Sequence, residues 1–409
     1  MTASTTEAGL ADVRVALDDP ASFATGHPFD QYRWLRAEHP VWFHPEADGP
    51  GFWAVTRYAD VVAVGRDAAT YSSWLGGVMI ADAPPEALAA SRLMMLYQDP
   101  PEHTRYRRLV SRHFTPRAVA LWQERIEALA ASIVDRVAAR GECDLVADVA
   151  GEMPSLVVAA LMGISDDEGR RLYHLTEIMH SADPGLSVEE RLAAIVEMHA
   201  TASATAARKR QEPGDDLMTA LVTADLDGEK LTDDELNWFF LLLVNAGGDT
   251  TRNLIAGGVQ ALLEHPDQLA ALRADPDGLL PTAVEELLRW VSPVVHMRRT
   301  ATADTVLAGQ PVAAGDKVVV FYGSANRDER VFTEPDRFDL TRAPNPHVAF
   351  GGGGPHFCLG SYFARLETSA ILRQIVTRLD GLAPAGPAPR LPSTFVCGPK
   401  SFPVTFAAS

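Results

Sequence analysis

The chain has 409 residues, of which 47% are apolar, so it can bury a large core without disulfides or structural metals. Its net charge of −18 argues against a nucleic-acid-binding role, which needs a basic footprint for the phosphates. The cysteines, Cys143, Cys358 and Cys397, are widely spaced and odd in number; they form neither a disulfide framework nor a zinc site and fit a reducing, cytoplasmic compartment.

The N-terminus lacks a basic segment followed by an apolar one, so no secretion signal is expected. The most apolar run, Trp238 to Ala246, is interrupted by Asn245 and is far short of the roughly 20 residues of a membrane span. Residues 1–409 read as one mainly α domain with a small β region.

In chain order, Phe52 to Arg57 reads as a strand. Ser72–Gln98 is irregular and could cover a pocket, with Val78, Met79 and Ile80 as apolar walls. Asp99-Pro-Pro opens a helix that carries His103 and Arg107 at i, i+4 on one face, within a basic stretch Arg105-Tyr-Arg107-Arg108…Arg112. Ser165–Glu212 is weakly periodic and reads as a second covering region. Thr232-Asp-Asp-Glu235 is a capping box. The helix that it opens runs to about His265, where Pro266 stops it; about thirty residues at about 1.5 Å each span roughly 50 Å.

The middle of that helix holds Ala246-Gly247-Gly248-Asp249-Thr250-Thr251. Glycines and polar side chains oppose helix propensity there, and such local violations mark function. A hydroxyl beside a carboxylate can relay protons into a water-poor site. Thr251 is turned about 100° from Thr250 and is expected to pack. Pro281 is expected to open the next helix, which carries Glu286 and Arg289 and ends before Pro293. Val294 and Val295 follow it, then Arg298 and Arg299. Thr305-Val-Leu is expected to pair with Lys317–Tyr322. The last covering candidates are Leu242 on the long helix and Phe395 and Val396 near the end. Ala383–Pro389 reads as a loop.

Phe350-Gly-Gly-Gly-Gly-Pro-His356-Phe-Cys358-Leu-Gly360 sets one cysteine behind a glycine run, with a helix from Gly360 to Leu379. Glycines let backbone approach a flat ligand, and a cysteine at a helix start has its thiolate stabilised by unpaired N–H groups. Alone, such a cysteine is more often a buried inert thiol. The segments above change that balance.

Together these segments resemble the cytochrome P-450 family over essentially the whole chain and in order. The resemblance implies the single-domain fold of that family, with the long helix over haem b and the cysteine loop beneath it, and Cys358 as the thiolate ligand of the iron. Gly354, His356, Cys358 and Gly360 match the family loop. One departure is visible: the usual aromatic lies seven residues before the cysteine, whereas Phe350 lies eight before it. The expanded glycine run resembles bacterial members that oxidise sterol side chains and branched lipids.

The resemblance further implies that Ala246 and Gly247 admit O2 against the helix, that Thr250 hydrogen-bonds it, and that Asp249 gates protons. Glu286 and Arg289 would form a buried structural triad with Arg337 of Pro335-Asp-Arg337-Phe338. His103, Arg107, Arg299 and His356 would hold the propionates, with Arg298 as the alternative to Arg299. Phe350 would lie against the proximal face. The activity implied is a monooxygenase that hydroxylates an apolar small molecule such as a sterol, terpene, lipid or polyketide.

No flavin or nicotinamide fingerprint and no Fe–S cysteine spacing is present, so electrons are expected from a separate ferredoxin and its reductase, docked on the basic helix by charge. A monomer is expected. A thiolate-haem peroxygenase or isomerase, needing no redox partner, and a non-enzymatic haem binder are the alternatives; both commonly lack any need for the acid and alcohol at Asp249 and Thr250.

Overall fold

The computed structural model describes residues 13–180, 186–225 and 228–408. Among these residues, ten helices frame the site: α1 (Tyr58–Arg66), α2 (Pro85–Ser91), α3 (Glu102–Ser111), α4 (Gln123–Ala138), α5 (Glu152–Met162), α6 (Asp166–His180), α7 (Val188–Gln211), α8 (Asp233–Glu264), α9 (Pro276–Val291) and α10 (Ser361–Arg378). The axis is α8, which packs against α5, α6, α7, α9 and α10. Its start is fixed as the sequence implies: Thr232 Oγ1 accepts from the Glu235 N–H (3.2 Å) and Glu235 accepts from the Thr232 N–H (2.7 Å). Glu235 also accepts from the Tyr106 hydroxyl, which ties α3 to the head of α8. Among the described residues, no single helix is long and apolar enough to cross a membrane.

Two helical expectations need correction. The segment Ser165–Glu212, read as irregular or weakly periodic, holds two helices, α6 and α7, among its described residues, and α7 starts with its own capping box, Ser187 and Glu190. Of its 24 residues only Ala194, Met198, Ala202, Thr205 and Ala206 are buried, so small and polar side chains hide the 3.6-residue period. Helix α9 starts at Pro276, not Pro281. Asp275 caps it by accepting from the Gly278 N–H (2.9 Å), and Pro281 lies inside the second turn, where one missing N–H is tolerated because the rest of the helix is packed.

The main sheet has five strands, β1 (Val41–His44), β2 (Phe52–Val55), β3 (Tyr71–Ser72), β4 (His296–Ala301) and β5 (Lys317–Phe321), in the order β1-β2-β5-β4-β3. β5 pairs parallel to β2, with Val55 opposite Val320, and antiparallel to β4, with Arg299 opposite Val318. Thr305–Leu307 therefore does not pair with β5 as the sequence suggested. It turns back on Gln310–Val312 through Ala308 and Gly309, both at positive φ. Ala383–Pro384 within the expected loop is a two-residue strand beside Pro403–Thr405. One large apolar cluster fills the helical part around α8, and two smaller ones flank the sheet.

Candidate haem-thiolate site

The glycine run is shaped by α1. Gly351, Gly353 and Gly354 have positive φ, which L side chains seldom adopt. A Cβ on Gly352 would lie 2.8 Å from Val62 Cα, and one on Gly354 would lie 2.3 Å from the Gly65 carbonyl oxygen. The loop thus lies directly on the backbone of α1. It closes when the Cys358 N–H donates to the Phe350 carbonyl (2.9 Å), and α10 begins three residues after Cys358. Burial pushes the Cys358 thiol up, opposed by the Gly360 N–H and by Arg107 and Arg365. Cys143 and Cys397 are buried in strand and core, and burial pushes Cys143 up to about 12. Phe350 lies under the Arg365 guanidinium (4.5 Å) and beside Phe357 (6.4 Å). The extra glycine is absorbed against α1.

Beside this loop stands a set of basic groups with too little negative charge. His103 and His356 have ring centroids 4.2 Å apart. Burial and the neighbouring cations Arg107 and Arg299 push His103 down to about 4, and the same causes push His356 to about 2. Arg299 is buried, and its described hydrogen bond runs only to the Arg298 carbonyl (2.7 Å). His103 Nδ1 is buried without a hydrogen-bond partner. Arg107 donates to the Phe357 carbonyl (2.7 Å) and so links α3 to the cysteine loop. An anionic group with two carboxylates fits this donor set: it would neutralise cations that now repel one another. Arg298 is the wrong residue for that role, because it turns the other way to Asp82 (2.6 Å).

The α8 segment opposes the loop. Ala246 is exposed and Thr250 half-exposed on a helix otherwise deeply buried from Gly248 to Leu262, so Ala246 and Thr250, at i and i+4, face open space. Leu242, one turn earlier on the same face, is buried in the large apolar cluster. The Thr250 hydroxyl donates to the Ala246 carbonyl (3.0 Å), which leaves its oxygen able to accept. Gly247 departs from expectation. A Cβ there would lie 2.8 Å from Val158 Cγ2 on α5, so its role is to let α5 approach. Thr251 is buried. Asp249 is also buried and lies 3.5 Å from Arg252, which bonds Tyr173 Oη (2.9 Å) and Glu177 (3.0 Å) on α6. Burial works against the Arg252 charge, but Tyr173, Asp249 and Glu177 hold its pKa above the ordinary value. Glu177 is partly exposed, so this chain connects Asp249 to solvent. Nothing in the sequence spacing marked Tyr173 or Glu177, since α6 itself was not visible.

The supporting triad differs from the expected one. Glu286 and Arg289 are fully buried and joined by two bonds of 2.8 Å. The third member is Arg342, whose Nε lies 3.2 Å from Glu286. The Arg337 side chain is 58% exposed and pairs with Glu334; only its carbonyl reaches the triad, accepting from Arg289 (3.2 Å). The sequence also missed a second cluster, in which Glu285 accepts from Arg365 (2.5 Å) and bonds His347 (2.9 Å).

Of the apolar wall residues, Val294, Val295, Phe395 and Val396 are brought together: Val294 bridges Val396, and the Val295 N–H donates to the Phe395 carbonyl (2.9 Å). Val78 lies next to them through its carbonyl, which accepts from the Arg298 N–H (2.9 Å). Ile80 and Val295 are corrected to core: both are buried in the cluster with Leu17, Phe52 and Phe321. Met79 is partly exposed.

A cysteine at a helix start, an uncompensated basic cluster and a polar break in a crossing helix define a haem-thiolate protein. The cytochrome P450 family model matches residues 187–406. The chain is 40% identical to a methyl-branched lipid omega-hydroxylase of Mycobacterium tuberculosis, covering 98% of this chain and 96% of that one. It is 37% identical to a steroid C26-monooxygenase of the same species, covering 95% and 92%. Among solved structures it is similar to a Mycobacterium marinum cytochrome P450 in complex with pseudoionone, with a TM-score of 0.88, 43% identity and coverage of 93% and 94%. The chain belongs to the cytochrome P450 family: it is a monooxygenase of that fold, and its cofactor is haem b with an axial cysteine thiolate.

Proposed function

We propose that Cys358 is that thiolate and that the enzyme hydroxylates an apolar lipid-like molecule, of the branched-lipid or sterol class, with electrons from a ferredoxin. The observation that carries the ligand assignment is the convergence beside Cys358 of Arg299, His103, His356 and Arg107, a cluster that needs the carboxylates of one haem. Bound through a thiolate, haem supplies oxygen activation and C–H oxidation. The chain's residues do the rest. Gly352 and Gly354 bring the loop against α1, and the Gly360 N–H with Arg107 and Arg365 favours the thiolate. Thr250 presents a hydroxyl oxygen to the cavity, and Asp249, ion-paired with Arg252 and through it linked to the partly exposed Glu177, is the carboxylate placed to take protons from the solvent side when that pair opens. Val294, Phe395, Val396, Leu242 and Met79 offer no charge to a ligand, and Arg298 is tied to Asp82, which supports an uncharged substrate. The named activities of the two mycobacterial relatives point the same way. Arg108 and Arg112 are exposed on and just beyond α3, suited to steering an acidic ferredoxin. We further propose a cytoplasmic monomer.

The test is a panel of branched lipids, sterols, terpenes and polyketides, read first by the high-spin Soret shift and then by product. Hydroxylated product formed from NADH, ferredoxin reductase and ferredoxin, and not from peroxide alone, is expected. Turnover with peroxide only would establish a peroxygenase instead.

A further inference from the structure

Residues 72–82 are fastened by two buried cations and the half-exposed Asp82, a cluster that monooxygenase chemistry does not require. Lys317 on β5 is 2% exposed and bonds Glu46 (2.8 Å), Asp82 (2.9 Å) and the Ile80 carbonyl (3.1 Å). Arg298, buried on the adjacent β4, bonds Asp82 (2.6 Å) and the Ile80 carbonyl (3.3 Å). Two cations thus sit side by side under the chain, and Asp82 is shared between them. At the other end of the segment, Asp99 accepts from the Ser73 N–H (2.7 Å) and from the Ser72 hydroxyl. Residues 72–82 are pinned at both ends, and Gly76 lies so close that a Cβ would be 2.1 Å from Arg298 Nη2. The chain beyond Asp82 is held far more loosely: α2 has no buried residue and is fastened chiefly by Arg92, which donates to the Trp74 carbonyl (2.9 Å) and lies 4.5 Å over its ring.

We infer that Asp82 is a positioning residue that locks residues 73–82, and with them the Val78–Met79 wall, so that within the covering segment 72–98 opening is confined to α2 and its flanks. Lifting 73–82 would withdraw a carboxylate from two buried cations, which is costly; lifting α2 breaks no such pair. The wall beside β4 is therefore held fixed, and a ligand that enters through this segment passes beside α2 and not past residues 73–82. This rests on the reading that the segment covers the substrate pocket.

The experiment uses ferric holoprotein without substrate. In the wild type, hydrogen exchange measured by mass spectrometry should be at least about tenfold slower for residues 73–82 than for 83–93. In Asp82→Asn, protection of 73–82 should fall roughly three- to tenfold. Asp82→Glu should retain most of it. In either variant Lys317 keeps Glu46 and Arg298 keeps the Met79 and Ile80 carbonyls, and an unchanged haem content and Soret band check that the variant is folded. Association of clotrimazole, a bulky azole that ligates haem iron, should speed up in Asp82→Asn by a similar factor, while that of imidazole should not change. Equal exchange of the two segments in the wild type, or unchanged protection in Asp82→Asn, would overturn the inference. Failure to find a hydroxylated lipid would sink the proposed substrate and leave these results standing.

Discussion

Replacing Arg342 by Met tests which arginine completes the triad. Glu286 accepts from Arg289 twice (2.8 Å each), from Arg342 Nε (3.2 Å), from the Asp339 N–H (3.0 Å) and from Asn345 Nδ2 (3.0 Å). Arg342 also donates to the carbonyls of Thr333 (2.7 Å), Glu334 (3.1 Å) and Arg337 (2.9 Å). Its loss frees the Thr333 carbonyl, takes one donor each from the Glu334 and Arg337 carbonyls, which keep the Arg337 N–H and Arg289, and uncovers one side of a buried carboxylate. Breaking a buried pair costs about 3–5 kcal/mol; because Arg289 still holds Glu286 by two bonds, the low end, about 3 kcal/mol, is expected. That is a large part of ordinary stability. Arg337→Met removes a side chain that is 58% exposed and should cost under about 1 kcal/mol. Urea titration followed by loss of the Soret band, with haem content measured after purification, separates the two. An Arg337→Met variant as impaired as Arg342→Met would refute the assignment.

Thr250→Ala should keep haem content and substrate binding but divert NADH to H2O2, whereas Asp249→Asn should slow the whole cycle. A loss of about 10²–10⁴-fold in the affected step is expected; product, NADH and H2O2 measured together decide it. Full coupling in the first with an unchanged rate in the second would make α8 only a wall. The Glu285 carboxyl, raised by burial but lowered more by Arg365 and His347, is pushed from its ordinary 4.5 down to about 2. Its folded value is depressed, so its stabilisation is full above about pH 4.5 and is lost as pH falls toward 2. Glu285→Gln should flatten that part of the acid-denaturation curve of the cysteine loop relative to wild type, read by Soret absorbance.

The parts of the site visible in the sequence were those whose local chemistry contradicts their surroundings. Glycines at positive φ behind Cys358, and Asp249 and Thr250 inside an apolar helix, have few purely structural uses. Partners supplied by distant segments were not visible. Arg337 sits in the expected motif, yet the chain turns so that Arg342, five residues on, reaches Glu286; only tertiary geometry decides between them. Tyr173 and Glu177 were missed because α6 lies between charged and weakly periodic stretches and was not read as a helix, and Arg252 because its partners come from that helix. Pro281 misled because a proline in the second turn has the same signature as one at a helix start. Ile80 and Val295 belong to the core cluster that holds Phe52 and Phe321, a placement set by tertiary packing that spacing alone does not show.

The central claim is that Cys358 holds the iron as thiolate, and the CO complex of the reduced protein tests it most directly. The wild type should show the strongly red-shifted Soret band of a thiolate-bound haem, and Cys358→Ala should retain partial fold yet lose that band. Retention of the shifted band in Cys358→Ala, or its absence from well-folded wild-type holoprotein, would contradict the account.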